Sequence, residues 1–166
     1  MFVLFLSVIS LNAQVSTSRM NEIRLEMNKS ELEKIIGKSI PLKLNDGSPS
    51  GLTHLVFKGV VYELNFTKAY DDSGNAINDF MVYSISSRDR SLKTLSGISI
   101  GSSFDEVLNK YKNYNISIRD SWDENGKRVK TTRRFVVEDY DSGTYLMFTI
   151  QNGKVIEMSV GHNEGC

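Results

Sequence analysis

The chain has 166 residues, its 20 basic and 20 acidic side chains cancel, and 40% of its residues are hydrophobic. That length suits one compact domain or two small fused units, and the apolar content supports a buried core rather than a disordered chain. A net charge of zero argues against a nucleic-acid-binding protein, which needs a basic footprint.

Phe2 to Leu11 form an apolar run that gives way to Asn12-Ala13-Gln14. Ten residues fall short of the ~20 that span a bilayer but match the hydrophobic region of a signal peptide. No Lys or Arg precedes the run, and Leu11 is large for its place before the cut. The expectation is cleavage after Ala13 and export to the periplasm or the medium, with no membrane span in the mature form. A buried N-terminal strand is the alternative. The ending Leu-Asn-Ala-Gln resembles signal peptides of Bacteroidetes-type bacteria. The single cysteine, Cys166, excludes an internal disulfide, and none stands near Ala13 to carry a lipid.

Residues 14–27 read as a polar lead-in. A first helix is expected over Ser30-Glu-Leu-Glu-Lys-Ile-Ile-Gly37 and a second over Ser103-Phe-Asp-Glu-Val-Leu-Asn-Lys-Tyr111. Each opens with Ser-x-x-Glu, the pattern of a capping box. Leu32, Ile35 and Ile36 recur as Phe104, Val107 and Leu108 at the same spacing, and Gly37 is suited to end the first helix. Strands are expected after each helix. Thr53 to Lys68 reads as a hairpin about Lys58-Gly59. Leu55, Phe57, Val60, Tyr62, Leu64 and Phe66 then share one face, with His54, Val56, Val61, Glu63 and Asn65 on the other. Asp71 to Asn75 is a loop and Phe80 to Ser86 a strand. Ile116 to Trp122 and Arg128 to Tyr140 flank Asn125-Gly126. A two-residue turn there sets Trp122 beside Val129 and Asp123 beside Arg128.

For the last hairpin, a three-residue loop Gln151-Asn152-Gly153 sorts the side chains best. It puts Leu146, Phe148, Ile150, Ile156, Met158 and Val160 on one face and Tyr145, Met147, Thr149, Val155, Glu157 and Ser159 on the other. The organisation expected is α+β, two tandem helix-plus-antiparallel-sheet units (α-β-β-β repeats) at residues 28–94 and 95–166. Divergent duplication and two unrelated segments of similar pattern are both open.

Catalytic equipment is sparse. His54 faces Glu63, but no nucleophile is placed beside the pair. His162, Glu164 and Cys166 are three metal-capable groups at a chain end, where a structural site wants about four. The acidic turns at Asp71, Asp123 and Asp139 depart from the calcium-loop pattern and suit turns for backbone reasons. Gly97-x-x-x-Gly101 precedes a helix whose first turn holds Asp105 and Glu106, which would repel an anion. The basic residues Lys127, Arg128, Lys130, Arg133 and Arg134 lie near Asp120, Asp123 and Glu124 and read as strand charges with partners. No cofactor and no metal are expected.

What remains is surface. Tyr145, Met147 and Val155 are expected on the outer sheet face near Trp122 and Tyr140, and Tyr and Trp are common at binding hot spots. Coverage of that face by the other unit or by the lead-in is the alternative. The residues Gly97-Ile-Ser-Ile-Gly-Ser-Ser-Phe-Asp-Glu-Val-Leu108 and Tyr145-Leu-Met-Phe-Thr-Ile-Gln-Asn-Gly-Lys-Val-Ile156 resemble the β-lactamase-inhibitor-protein-like fold. That fold is shared with small outer-membrane lipoproteins of the barrel-assembly machinery and is similar to that of many exported bacterial proteins. The resemblance implies helix-on-sheet units that bind other proteins and catalyse nothing. The expected function is an exported, non-enzymatic protein-interaction module whose candidate contacts are Trp122, Tyr140, Tyr145 and Met147. Inhibition of a secreted hydrolase, or hydrolysis at His54 and Glu63, are the alternatives.

Overall fold

The computed structural model describes residues 15–71 and 73–163; the apolar run, the expected cleavage point, Glu164 and Cys166 lie outside them. The elements in chain order are β1 (Arg19–Met20), β2 (Ile23–Arg24), α1 (Lys29–Ile36), β3 (Leu44–Asn45), β4 (Ser48–Pro49), β5 (Thr53–Phe57), β6 (Val60–Tyr70) and β7 (Ala76–Ser87). They continue with α2 (Phe104–Tyr111), β8 (Ile116–Trp122), β9 (Arg128–Asp139), β10 (Thr144–Gln151) and β11 (Lys154–His162). Strand accounts for 53% of the described residues and helix for 11%. The expectation of two tandem α-β-β-β units is therefore overturned: the protein is mostly β.

The main sheet has seven antiparallel strands in the order β5-β6-β7-β11-β10-β9-β8. Its two halves join where β11 pairs with β7, from Met158 opposite Ser87 to Gly161 opposite Ser84. The row Leu64, Ile85, Val160, Leu146, Val137, Ile116 crosses six strands on one face. Both helices add to that same face, since Leu32, Val107 and Tyr111 share one core with Tyr62, Phe135 and Phe148. A helix followed by strands looks alike in sequence whether its strands form a sheet of their own or extend a common one. The β7–β11 seam has no local signature.

The hairpins show how turn chemistry sets register. Lys58-Gly59 and Asn152-Gly153 both have positive φ at each position (49° and 81°, 50° and 76°), the backbone of a two-residue type I′ turn. The first hairpin has the expected faces: Leu55, Val60, Tyr62, Leu64 and Phe66 are buried, while Val56 and Val61 are exposed. The last one corrects the three-residue loop. Gln151 pairs with Lys154 across two residues, and a bulge restores the outer alternation by skipping Ile156. Val155, expected on the outer face, is thereby buried beside Ile150.

The third expected turn is also corrected. Asp123 Oδ1 accepts from the backbone N–H of Asn125 and of Lys127, which closes a five-residue loop. Trp122 then faces Arg128 instead of Val129, and Arg128 pairs with Asp120 at 2.8 Å.

The two helix starts also differ. Ser103 and Glu106 form the expected capping box. At α1 the extended segment before it bonds to β7, Glu26 N–H to Val82 O at 2.8 Å and Val82 N–H to Met27 O at 3.0 Å. The helix therefore begins from Asn28, and Ser30 falls inside its first turn. Glu33 instead accepts from the Ile40 N–H at 2.7 Å and from Ser39. The lead-in is not simply polar: Val15, Met20, Ile23, Leu25 and Met27 are buried in the core.

Candidate interaction site

The four residues expected to form one partner surface are split into three places. Trp122 ends edge strand β8 and is 61% exposed. It pairs with Arg128 at one end of β9, whereas Tyr140 follows the other end; the twelve-residue strand puts them roughly 35 Å apart. Tyr145 and Met147 lie between these points, on the helix-free face.

That face holds an open depression of about 440 Å³. Ser84, Ser86, Ser159 and Gly161 give small residues at the β7–β11 seam, and Tyr145, Met147 and Val136 rise beside them. Arg119, Arg134 and His162 complete its wall, with no acidic residue among the lining. Tyr145 stands directly opposite Gly161, and a Cβ on Gly161 would lie 2.8 Å from the Tyr145 hydroxyl. The ring thus lies across the glycine.

The larger hollow, about 540 Å³, opens at the end of the sheet where four segments meet. Val15 to Thr17 enter from one side, Leu95-Ser96 from another, the residues after α2 from a third, and the β9–β10 turn closes it. Its floor is the buried Tyr111, Val137 and Leu146, and its rim carries Leu95, Tyr114 and Tyr140 at 75%, 60% and 64% exposure. The rim is anchored. The Tyr114 ring packs edge-on against Tyr111 at 5.6 Å, and Tyr111 packs on Phe148 at 5.5 Å. Such aromatic pairs add about 0.5–1.5 kcal/mol beyond area burial.

Glu138 holds the wall between the two hollows. Its carboxylate, with 8% of the side chain exposed, accepts from Arg119 Nη2 at 2.8 Å, Ser117 Oγ at 3.1 Å and Tyr140 Oη at 2.5 Å. The Tyr140 hydroxyl, aided by Ser117 and the Arg119 charge, keeps the Glu138 carboxyl below the usual glutamate range against the cost of burial. The same bond pushes the Tyr140 phenol up. Asp139 is held low by Ser142 and also accepts from Thr17 Oγ1 at 3.4 Å.

His54 Nδ1 lies 3.9 Å from Glu63 Oε1 as the cross-strand pairing requires, but His54 is 67% exposed. Among the described residues the two line different hollows, His54 one beside Leu55 and Glu63 one beside Arg88. His162 stacks on Tyr83 at 5.4 Å with Nε2 3.9 Å from Glu26. Among the described residues, no three His, Cys, Asp or Glu are grouped to hold a metal ion. None of the described helices is long and apolar enough to cross a membrane.

Of the sequence candidates only Tyr140 borders the larger hollow. Leu95, Tyr114, Glu138, Asp139 and Asp141 were not singled out as contacts. Tyr111 and Tyr114 at i, i+3 were the one local signal. No family model, curated protein or solved structure matches the chain.

Proposed function

We propose that this protein is an exported, non-enzymatic protein-interaction module that docks its partner at the sheet-end groove. The observation that carries the reading is the exposed rim of Leu95, Tyr114 and Tyr140 above an apolar floor. Large apolar and aromatic side chains grouped around a concavity are characteristic of interaction sites rather than of scattered surface residues. The hollow's volume falls within the range of specific binding pockets. The motif resemblance at Gly97–Leu108 and Tyr145–Ile156 points the same way, because proteins of that kind bind other proteins. The apolar run Phe2–Leu11 supports export.

Two measurements test it. A photo-reactive residue at Asn113, in the groove, is expected to cross-link a discrete envelope or secreted protein, whereas one at the exposed Lys68 is not. Equal labelling from both positions, or none from Asn113, removes the groove as the docking site. Fractionation with N-terminal sequencing is expected to find the protein outside the cytoplasm and beginning at Gln14. A cytoplasmic chain that keeps its first thirteen residues removes the export reading.

A further inference from the structure

The groove's lining carries a chemical preference. Three carboxylates line it, Glu138, Asp139 and Asp141, and none of the described lining residues is basic. Arg119 answers the charge of Glu138 from behind the wall. That leaves Asp139 and Asp141 facing the groove beside the exposed rings of Tyr114 and Tyr140. The Ser142 hydrogen bonds hold the Asp139 carboxyl below the usual aspartate range. Carboxylates beside aromatic faces favour a cation whose apolar stem lies along the rings. An acidic occupant would meet two uncompensated charges of its own sign.

Resting on the reading of this groove as the docking site, we infer that its occupant is a basic stretch of a partner protein, with lysine or arginine next to apolar residues. The apolar part of such a stretch covers Leu95 and the Tyr111–Val137–Leu146 floor, while its cation reaches Asp139 and Asp141. Charge of this kind sets which partner is accepted and how fast it arrives, with apolar burial supplying most of the holding energy.

The test is selection of a random dodecapeptide library on three folded proteins. These are the natural chain, an Asp139→Asn/Asp141→Asn double variant, and a Leu95→Ser/Tyr114→Ser double variant, each checked by thermal melting. Peptides chosen by the natural chain are expected to be enriched in Lys and Arg. They are expected to bind the Asn variant about tenfold more weakly, the scale of a charge-assisted contact, and to lose that difference at high salt. Peptides without Lys or Arg enrichment, or with equal affinity for the Asn variant, overturn the cationic occupant. In that outcome the docking reading survives if the Ser variant fails to bind the selected peptides. Unchanged binding to the Ser variant overturns both.

Discussion

The two hollows stand on opposite sides of the same hairpin, and their chemistry is opposed. The sheet-end groove is floored by core residues and carries carboxylates in its lining, whereas the hollow on the helix-free face is lined by Ser84, Val136, Tyr145 and Met147 and walled by Arg119, Arg134 and His162. Consecutive residues divide between them: Val137 and Leu146 line the groove, Val136 and Met147 the open face. Strand alternation alone produces this division. The lesson is that β9 and β10 present two independent surfaces, so a substitution one residue away acts on a different hollow. Glu138 links them, because it lines the groove while its partner Arg119 lines the face.

The sharpest way to break the comparison is to truncate neighbours. Leu146 is fully packed in the core, so Leu146→Ala is expected to cost about 2–5 kcal/mol and to weaken peptide binding by deepening the groove floor. Met147→Ala, on the half-buried open face, is expected to cost well under half of that and to leave groove binding intact. Chemical denaturation of both variants checks it. Equal losses would mean that the two faces are not energetically distinct.

A smaller effect is expected at the link. Glu138→Gln removes the charge that Arg119 and Tyr140 share, with a loss of about 1 kcal/mol because Arg119 is largely exposed. The sign of its pH dependence follows from the lowered carboxyl. The folded protein holds the proton less readily than the unfolded chain, so this contribution is complete above the ordinary glutamate value. It fades as pH falls through the lower folded value. Melting curves of the natural chain should therefore lose stability on the acid side more steeply than those of Glu138→Gln. Parallel acid limbs would show that the network contributes nothing. The variant also frees Arg119, so the open face should bind a sulfated dye more tightly than before.

How much of this was legible differs by scale. The first hairpin was readable because alternation from Leu55 to Phe66 and the Lys58-Gly59 turn are local and agree. The second helix was readable from Ser103 and Glu106 for the same reason. Three kinds of feature were not. The bulge at Ile156 shifts register after a two-residue turn, and because nothing in the residues marks it, the face sorting favoured a three-residue loop that the structure does not have. The cap at Ser30 gave way because tertiary pairing of Glu26 and Met27 with β7 starts the helix earlier. The β7–β11 seam joins residues some seventy apart, so the one-sheet architecture was hidden. The groove was hidden for a related reason, since its walls come from four separate segments and only Tyr140 stood out beforehand.

The smallest effects are expected where sequence reading placed weight and the structure withdraws it. Trp122 is exposed at the far end of β8, borders neither hollow and pairs only with Arg128 across the strands. Trp122→Ala should change stability by less than about 0.5 kcal/mol and leave peptide selection unaltered. Gly161→Ala provides the matching control on the open face. Its φ lies outside the left-handed region, so the backbone accepts alanine, and the atoms nearest the new methyl are those of the Tyr145 ring, its hydroxyl at 2.8 Å. The ring should swing away, visible as shifted Tyr145 resonances, with the groove unaffected. A loss of groove binding in Gly161→Ala would show that the two hollows communicate through β10. Loss in Trp122→Ala would instead return the docking surface to β8, which among the described residues is an edge strand and offers a partner strand a place to add.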